Sequence, residues 1–138
     1  MRIPKWALII LFIAALVGFA DSSYLTAEHV RGAVPPCTGA GCDTVLTSTY
    51  ANVGPLPLAA FGMVYYGALL VLLIAYLDVG SRRIVHAFAW IVSIGMLLSL
   101  YFVVVQLFIL HAICPYCMAS AAVTTVMFGI AIYLVRKC

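Results

Sequence analysis

Charge is what this sequence has least of. Asp, Glu, Lys and Arg make up 8% of its 138 residues, while 67% are hydrophobic, and the mean hydropathy is +1.22. An ordinary soluble domain carries about 25% charged residues. A chain this short has no interior large enough to hide so much apolar surface, so the solvent for most of it is lipid. The net charge of +3 is too small to point to nucleic acid. His29, His86 and His111 are scattered, with no metal-ligand spacing. The apolar stretches carry no row of polar residues of the kind that lines a carrier or a channel. Acids are scarce, and Asp21 falls near the outer end of the first apolar stretch. An acid inside a span is a functional candidate, whereas one at a wet helix end needs no special role.

Four apolar runs are present, at residues 6–25, 58–77, 84–110 and 113–135, each long enough to cross a hydrocarbon core that takes about 20 residues. The first also has the basic start and small-residue end of a secretory signal, but cleavage there would leave three spans. Residues 26–57 are dense in proline, glycine and asparagine and read as a loop, within which residues 43–50 are expected to form a short helix lying on the membrane. Residues 78–83 read as a tight turn. The expected fold is all-α: a single integral-membrane domain over 1–138, four helices with an outer capping loop. Arg2, Lys5, Arg82, Arg83, Arg136 and Lys137 fall on one side of this topology and Arg31 on the other. The positive-inside rule then puts both termini in the cytoplasm and the 26–57 loop outside it.

Five cysteines stand out against this background. Cys114-Pro115-Tyr116-Cys117 opens the last span. The first turn of a helix offers unpaired N–H groups and the positive end of the helix dipole, which stabilise a thiolate, the reactive species in disulfide exchange. Pro115 suits a first turn, where its missing N–H is not needed. The bland alternative is cysteine as small apolar filler. Cys37 and Cys42 enclose a ring with two glycines in the outer loop, which suits a mobile redox pair and also a structural staple. Both pairs fall on the extracytoplasmic side, where disulfides persist. A four-thiolate zinc site would tend to oxidise there. Cys138 lies on the opposite side and receives no role. Phe61 and Tyr65 share a helix face at i, i+4, high in the second span, where a planar apolar ligand would fit.

Taken together, these residues resemble the vitamin K epoxide reductase family, in its prokaryotic disulfide-forming branch. The resemblance is carried by Cys37 and Cys42, Ser48 six positions on, Phe61-Gly62 followed by Tyr65-Tyr66, and the Cys114–Cys117 motif, in the family's order and over essentially the whole chain. The DsbB-type quinone oxidoreductases also have four spans and two cysteine pairs, but there the Cys-x-x-Cys pair comes first. The resemblance implies a four-helix bundle around a quinone of the ubiquinone or menaquinone type, in the cytoplasmic (inner) membrane. Electrons would pass from a reduced thioredoxin-fold (DsbA-like) partner to Cys37–Cys42, then to Cys114–Cys117, then to the quinone. Cys42 would receive the partner's attack, Cys37 would attack Cys114, and Cys117 would face the quinone. Ser48 matches a serine that helps anchor the cap, while Phe61, Tyr65 and Tyr66 match positions lining the quinone pocket. The animal enzymes hold vitamin K with an asparagine and a tyrosine, and Leu58 and Ala121 stand at the matching positions here. That departure favours a membrane quinone over an epoxide as acceptor. The chain ends at Cys138, so the partner is expected to be a separate protein. Two further readings stand beside this one: a quinone epoxide reductase, and a non-catalytic membrane scaffold with structural disulfides.

Overall fold

The computed structural model describes residues 3–31, 52–53, 56–109, 111 and 115–137, with backbone alone at 52, 53 and 56–58. Four long helices dominate it: α1 (Lys5–Val30), α2 (Leu58–Val79), α3 (Arg82–Val104) and α4 (Pro115–Lys137). The shortest has 22 residues, which at 1.5 Å per residue spans about 33 Å, enough for a hydrocarbon core of about 30 Å. All four are long and apolar enough to cross a membrane. Their outer faces are as apolar as their inner ones, with Trp90 and Phe108 each 71% exposed and Val64 70%. Such a surface would aggregate in water and is ordinary in lipid.

The helices pack as an up-and-down ring, α1 against α2, α2 against α3, α3 against α4, and α4 back against α1. Each turns one narrow stripe inward. On α1 it runs through Ala7, Leu11, Ala14, Ala15, Gly18, Ser22 and Leu25, and on α4 through Thr124, Met127, Ala131 and Leu134. Lipid supplies no hydrophobic drive for helices to associate, so close backbone approach through small residues does much of that work. Gly62 of α2 shows this, since a Cβ there would lie 2.8 Å from Ser22 Oγ on α1.

One end of the bundle gathers the basic residues Lys5, Arg82, Arg83, Arg136 and Lys137. The Ile3 N–H donates to Tyr76 Oη at 2.8 Å, and Trp6 meets Tyr133 at 5.8 Å between ring centroids. Lys137 Nζ sits 5.2 Å from the same Tyr133 ring, a cation–π arrangement. The α2–α3 turn is built by its caps. Gly80, at φ +67°, takes the left-handed position after α2 and donates its N–H to the Tyr76 carbonyl at 2.7 Å. Ser81 then caps α3, its Oγ accepting from the Arg83 N–H at 3.3 Å.

At the opposite end α1 extends to Val30, five residues into the stretch expected to be loop. Thr26 Oγ1 donates back to the Ser22 carbonyl at 2.8 Å, and Glu28 pairs with Arg31 at 3.7 Å one turn apart. These local contacts carry the helix past its apolar run. A two-residue antiparallel pair, β1 (Asn52–Val53) with β2 (Leu56–Pro57), leads directly into α2. The short helix expected at 43–50 lies outside the described residues. Beyond α3 the chain winds one wider π turn, Val105–Ile109, which holds Gln106 at 2% exposure. His111 follows in the left-handed region at φ 50°.

Candidate functional site

Of the residues singled out in the sequence, Cys37, Cys42, Ser48 and Cys114 lie outside the described residues, as does Cys138. Leu58 begins α2 and is described by its backbone alone. Cys117, Phe61, Tyr65, Tyr66 and Ala121 can be placed.

Cys117 is the third residue of α4, half-buried, in the turn that Pro115 opens. The N–H groups at the start of a helix have no carbonyl one turn back, and with the dipole they favour negative charge there. Position and partial exposure are those of a reactive thiol rather than of inert core filler. At three- and four-residue spacing from Cys117 come Ser120, Ala121 and Thr124 on the same side of α4.

That side meets Tyr66. From α2 its hydroxyl lies 2.7 Å from Ser120 Oγ and 3.1 Å from Thr124 Oγ1, and it donates to the Ser120 carbonyl at 3.1 Å. With its one proton on that carbonyl, the phenol oxygen is free to accept from the two hydroxyls. The ring is 1% exposed and fills the bundle centre, where a Cβ on Gly18 of α1 would overlap it. Tyr65 packs edge-on against Tyr66 at 4.8 Å between centroids. Its hydroxyl end lies against Gly95 of α3, again where a Cβ would overlap. Phe61, one turn from Tyr65 toward the Cys117 end, is 47% exposed, and Ala121 is half-buried.

Among the described residues three buried polar atoms have no hydrogen-bond partner: Asp21 Oδ2, Ser23 Oγ and Tyr65 Oη. Leaving a buried hydroxyl unsatisfied costs about 1–3 kcal/mol, so such atoms call for an explanation. A quinone is an apolar ring bearing two carbonyl acceptors. The unmatched Tyr65 hydroxyl is a donor of the kind such a carbonyl takes, set among aromatic walls, and the residues present therefore fit the group.

Ser120, Thr124 and Gln106 were not singled out from the sequence. The hydroxyls at three and seven residues after Cys117 were a usable signal for the first two. Gln106 stood out as an amide in an apolar span, but nothing local marked the π turn that buries it. A groove of about 380 Å³ between α3 and α4, lined by His86, Trp90, Phe128, Ile132 and Arg136, lies at the basic end and includes no predicted site residue.

Four spans, with a cysteine in the first turn of the last one and a tyrosine-centred polar layer between the helices, define a membrane-embedded protein. The sequence matches the vitamin K epoxide reductase family over residues 9–132 of 138, and the chain belongs to that family. It is an integral membrane oxidoreductase. No individual curated protein matches the chain.

Proposed function

We propose that this protein is a quinone-dependent thiol–disulfide oxidoreductase that supports disulfide bond formation outside the cytoplasm. Its donor is a separate, reduced thioredoxin-fold (DsbA-like) protein and its acceptor a membrane quinone. The observation that carries this reading is the position of Cys117, in the first turn of α4 and at the head of the stripe whose Ser120 and Thr124 bind Tyr66.

The chemistry is a series of thiol–disulfide exchanges followed by a two-electron reduction. A donor thiolate attacks Cys42 of the oxidised loop pair, forming a mixed disulfide and releasing Cys37 as thiolate. Cys37 attacks Cys114 of the Cys114–Cys117 disulfide, and Cys117 leaves as thiolate. Its helix position makes it a good leaving group, because the same dipole that lowers a thiol pKa stabilises the departing anion. The donor's second thiolate displaces Cys42 and leaves as the donor disulfide, Cys42 attacks Cys37 to re-form the loop pair and free Cys114, and the Cys114–Cys117 disulfide re-forms as two electrons pass to the quinone. Two electrons and two protons leave the donor dithiol, and the quinone gains two of each as hydroquinone. When bound, the quinone supplies the electron sink; Tyr65 would donate to one of its carbonyls, and Phe61 with the Tyr66 ring would hold its apolar face. Ser48, Leu58 and Ala121 complete the expected pocket and cap.

The clustering of basic residues at the end opposite Cys117 supports an extracytoplasmic site and cytoplasmic termini. The test is quinone reduction by purified protein supplied with a reduced thioredoxin-fold donor, for wild type and Cys117→Ala. Turnover by wild type, lost in a variant that keeps its thermal stability, is the expected result. No quinone-dependent turnover with any dithiol donor would leave the cysteine pairs as staples in a membrane scaffold.

A further inference from the structure

We propose that Asp21 is the acid–base group of the acceptor site, its carboxyl passing a proton to an oxygen of the bound quinone as the Cys117 thiolate gives up electrons, and regaining that proton from the outer aqueous face. The inference rests on the preceding reading, in which Cys117 faces the quinone.

The chain contains four acids. Asp78 is exposed at the end of α2 and Glu28 pairs with Arg31, while Asp43 belongs to the outer loop. Asp21 alone lies within the outer half of a span, and its Oδ2 is buried with no partner. A carboxyl kept there merely for structure would be expected to have a mate. An ionisable group left unmatched inside a span is instead the signature of a site that exchanges something. Arg31 gives it no neutralisation, being ten residues further along α1, about 15 Å of helix rise.

Its height in the bundle is fixed by two contacts. Tyr24 of α1 meets Tyr116 of α4 with ring centroids 5.8 Å apart. Because α1 and α4 run in opposite directions, Asp21 lies three residues below that contact and Cys117 one residue below it. The two differ in height by about 3 Å. One turn further down, Gly18 meets the Tyr66 ring. Asp21 is thus bracketed between the Cys117 turn above and the tyrosine layer below.

Few groups compete for its proton. The titratable groups on the outer halves of the neighbouring helices are Tyr65 and Tyr66 on α2 and Tyr116 and Cys117 on α4, with Tyr24, Glu28 and the exposed His29 on its own helix. From α3 the outer half offers the exposed Tyr101. Tyrosines stay neutral through the neutral range and Glu28 is paired with Arg31, so water and the acceptor oxygens are the partners with which Asp21 can exchange. The step balances. Over the cycle the donor dithiol loses two electrons and two protons, the protons entering the water outside; the Cys114–Cys117 bond re-forms from the two thiolates, and the quinone gains two electrons from them and two protons, one by way of Asp21. Asp21 ends in the state in which it began.

The test uses the full chain, with dithiothreitol as donor and a short-tailed ubiquinone analogue as acceptor, over a pH series for wild type, Asp21→Asn and Asp21→Glu. Proton transfer by a placed side chain contributes about 10²–10⁴-fold. Asp21→Asn is expected to lower turnover by about 100-fold and to lose the alkaline limb of the pH profile, where the wild-type carboxyl is deprotonated, while Asp21→Glu keeps turnover within about tenfold of wild type. A second readout is the infrared difference spectrum between oxidised and reduced protein. Wild type should show a carboxyl signal that Asp21→Asn removes. An Asn variant with wild-type rate and profile would overturn the proposal, and so would a wild-type spectrum with no carboxyl signal. Should the Asn variant not fold, the Glu profile and the wild-type spectrum still decide. Absence of any wild-type turnover would instead bring down the quinone reading itself, and this inference with it.

Discussion

The Tyr66 hydroxyl of α2 and the Ser120 side chain of α4 meet at 2.7 Å, joining two helices that are not neighbours in the ring. With Thr124 at 3.1 Å the contact forms a polar knot at the centre of an otherwise apolar bundle. It also ties the rotation of α4, and hence the direction of the stripe headed by Cys117, to a ring held in place by Gly18.

Tyr66→Phe keeps the ring and removes the knot. A lost hydrogen bond costs about 1 kcal/mol and a stranded buried partner somewhat more, so the expected loss is about 1–2 kcal/mol, read from unfolding in detergent. Ser120 and Thr124 can turn to carbonyls of their own helix, which keeps the figure low.

Gly18→Ala should be worse than its single methyl suggests, because the new Cβ would overlap the Tyr66 ring. Overpacking of this kind costs about 1–3 kcal/mol. Gly129→Ala is the control, having open space around it, and should be neutral or stabilising by up to about 1 kcal/mol through helix propensity. Combining Gly18→Ala with Tyr66→Leu should cost less than the sum of the two, since the second change removes the obstacle to the first.

Gly80→Ala tests the turn at the basic end. The left-handed backbone there disfavours a Cβ by about 1–2 kcal/mol, and Ser81→Ala removes a cap worth about 1 kcal/mol. Both should raise amide exchange first at the C-terminal end of α2 and the start of α3, while leaving Cys117 reactivity unchanged.

Cys117→Ala and Cys117→Ser should both abolish quinone reduction and leave unfolding within about 1 kcal/mol of wild type, since the residue is only half-buried. Cys138→Ala should change neither. A Cys117 variant that retained turnover would remove the thiol from the acceptor step.

The spans were legible because lipid imposes one coarse demand, about twenty apolar residues, that a sequence cannot disguise. The stretch 58–77 falls inside Leu58–Val79, and 84–110 nearly coincides with α3 and its π turn. The first helix ran longer than its apolar run because Thr26, Glu28 and Arg31 extend it with local polar contacts. What the sequence hid is rotation. Each helix is apolar nearly all round, so periodicity does not say which stripe turns inward. Tyr65 and Tyr66 were both expected at a pocket wall. That Tyr66 plugs the centre while Tyr65 carries the unmatched hydroxyl depends on Gly18 and Gly95 lying opposite them on other helices. No local pattern reports a pairing across two chain segments so far apart. Ser120 and Thr124 were hidden for the same reason.

The link between the π turn and α4 is short. From Ile109 to Pro115 there are six Cα steps, at most about 20 Å of chain, and both ends are held in packed helices, with His111 bent left-handed between them. Cys117 is therefore a berth rather than a courier. It cannot leave the membrane face to collect a reducing equivalent, and any traffic between it and a large water-soluble donor has to be carried by a segment with slack. The stretch joining α1 to α2 carries the other cysteine pair.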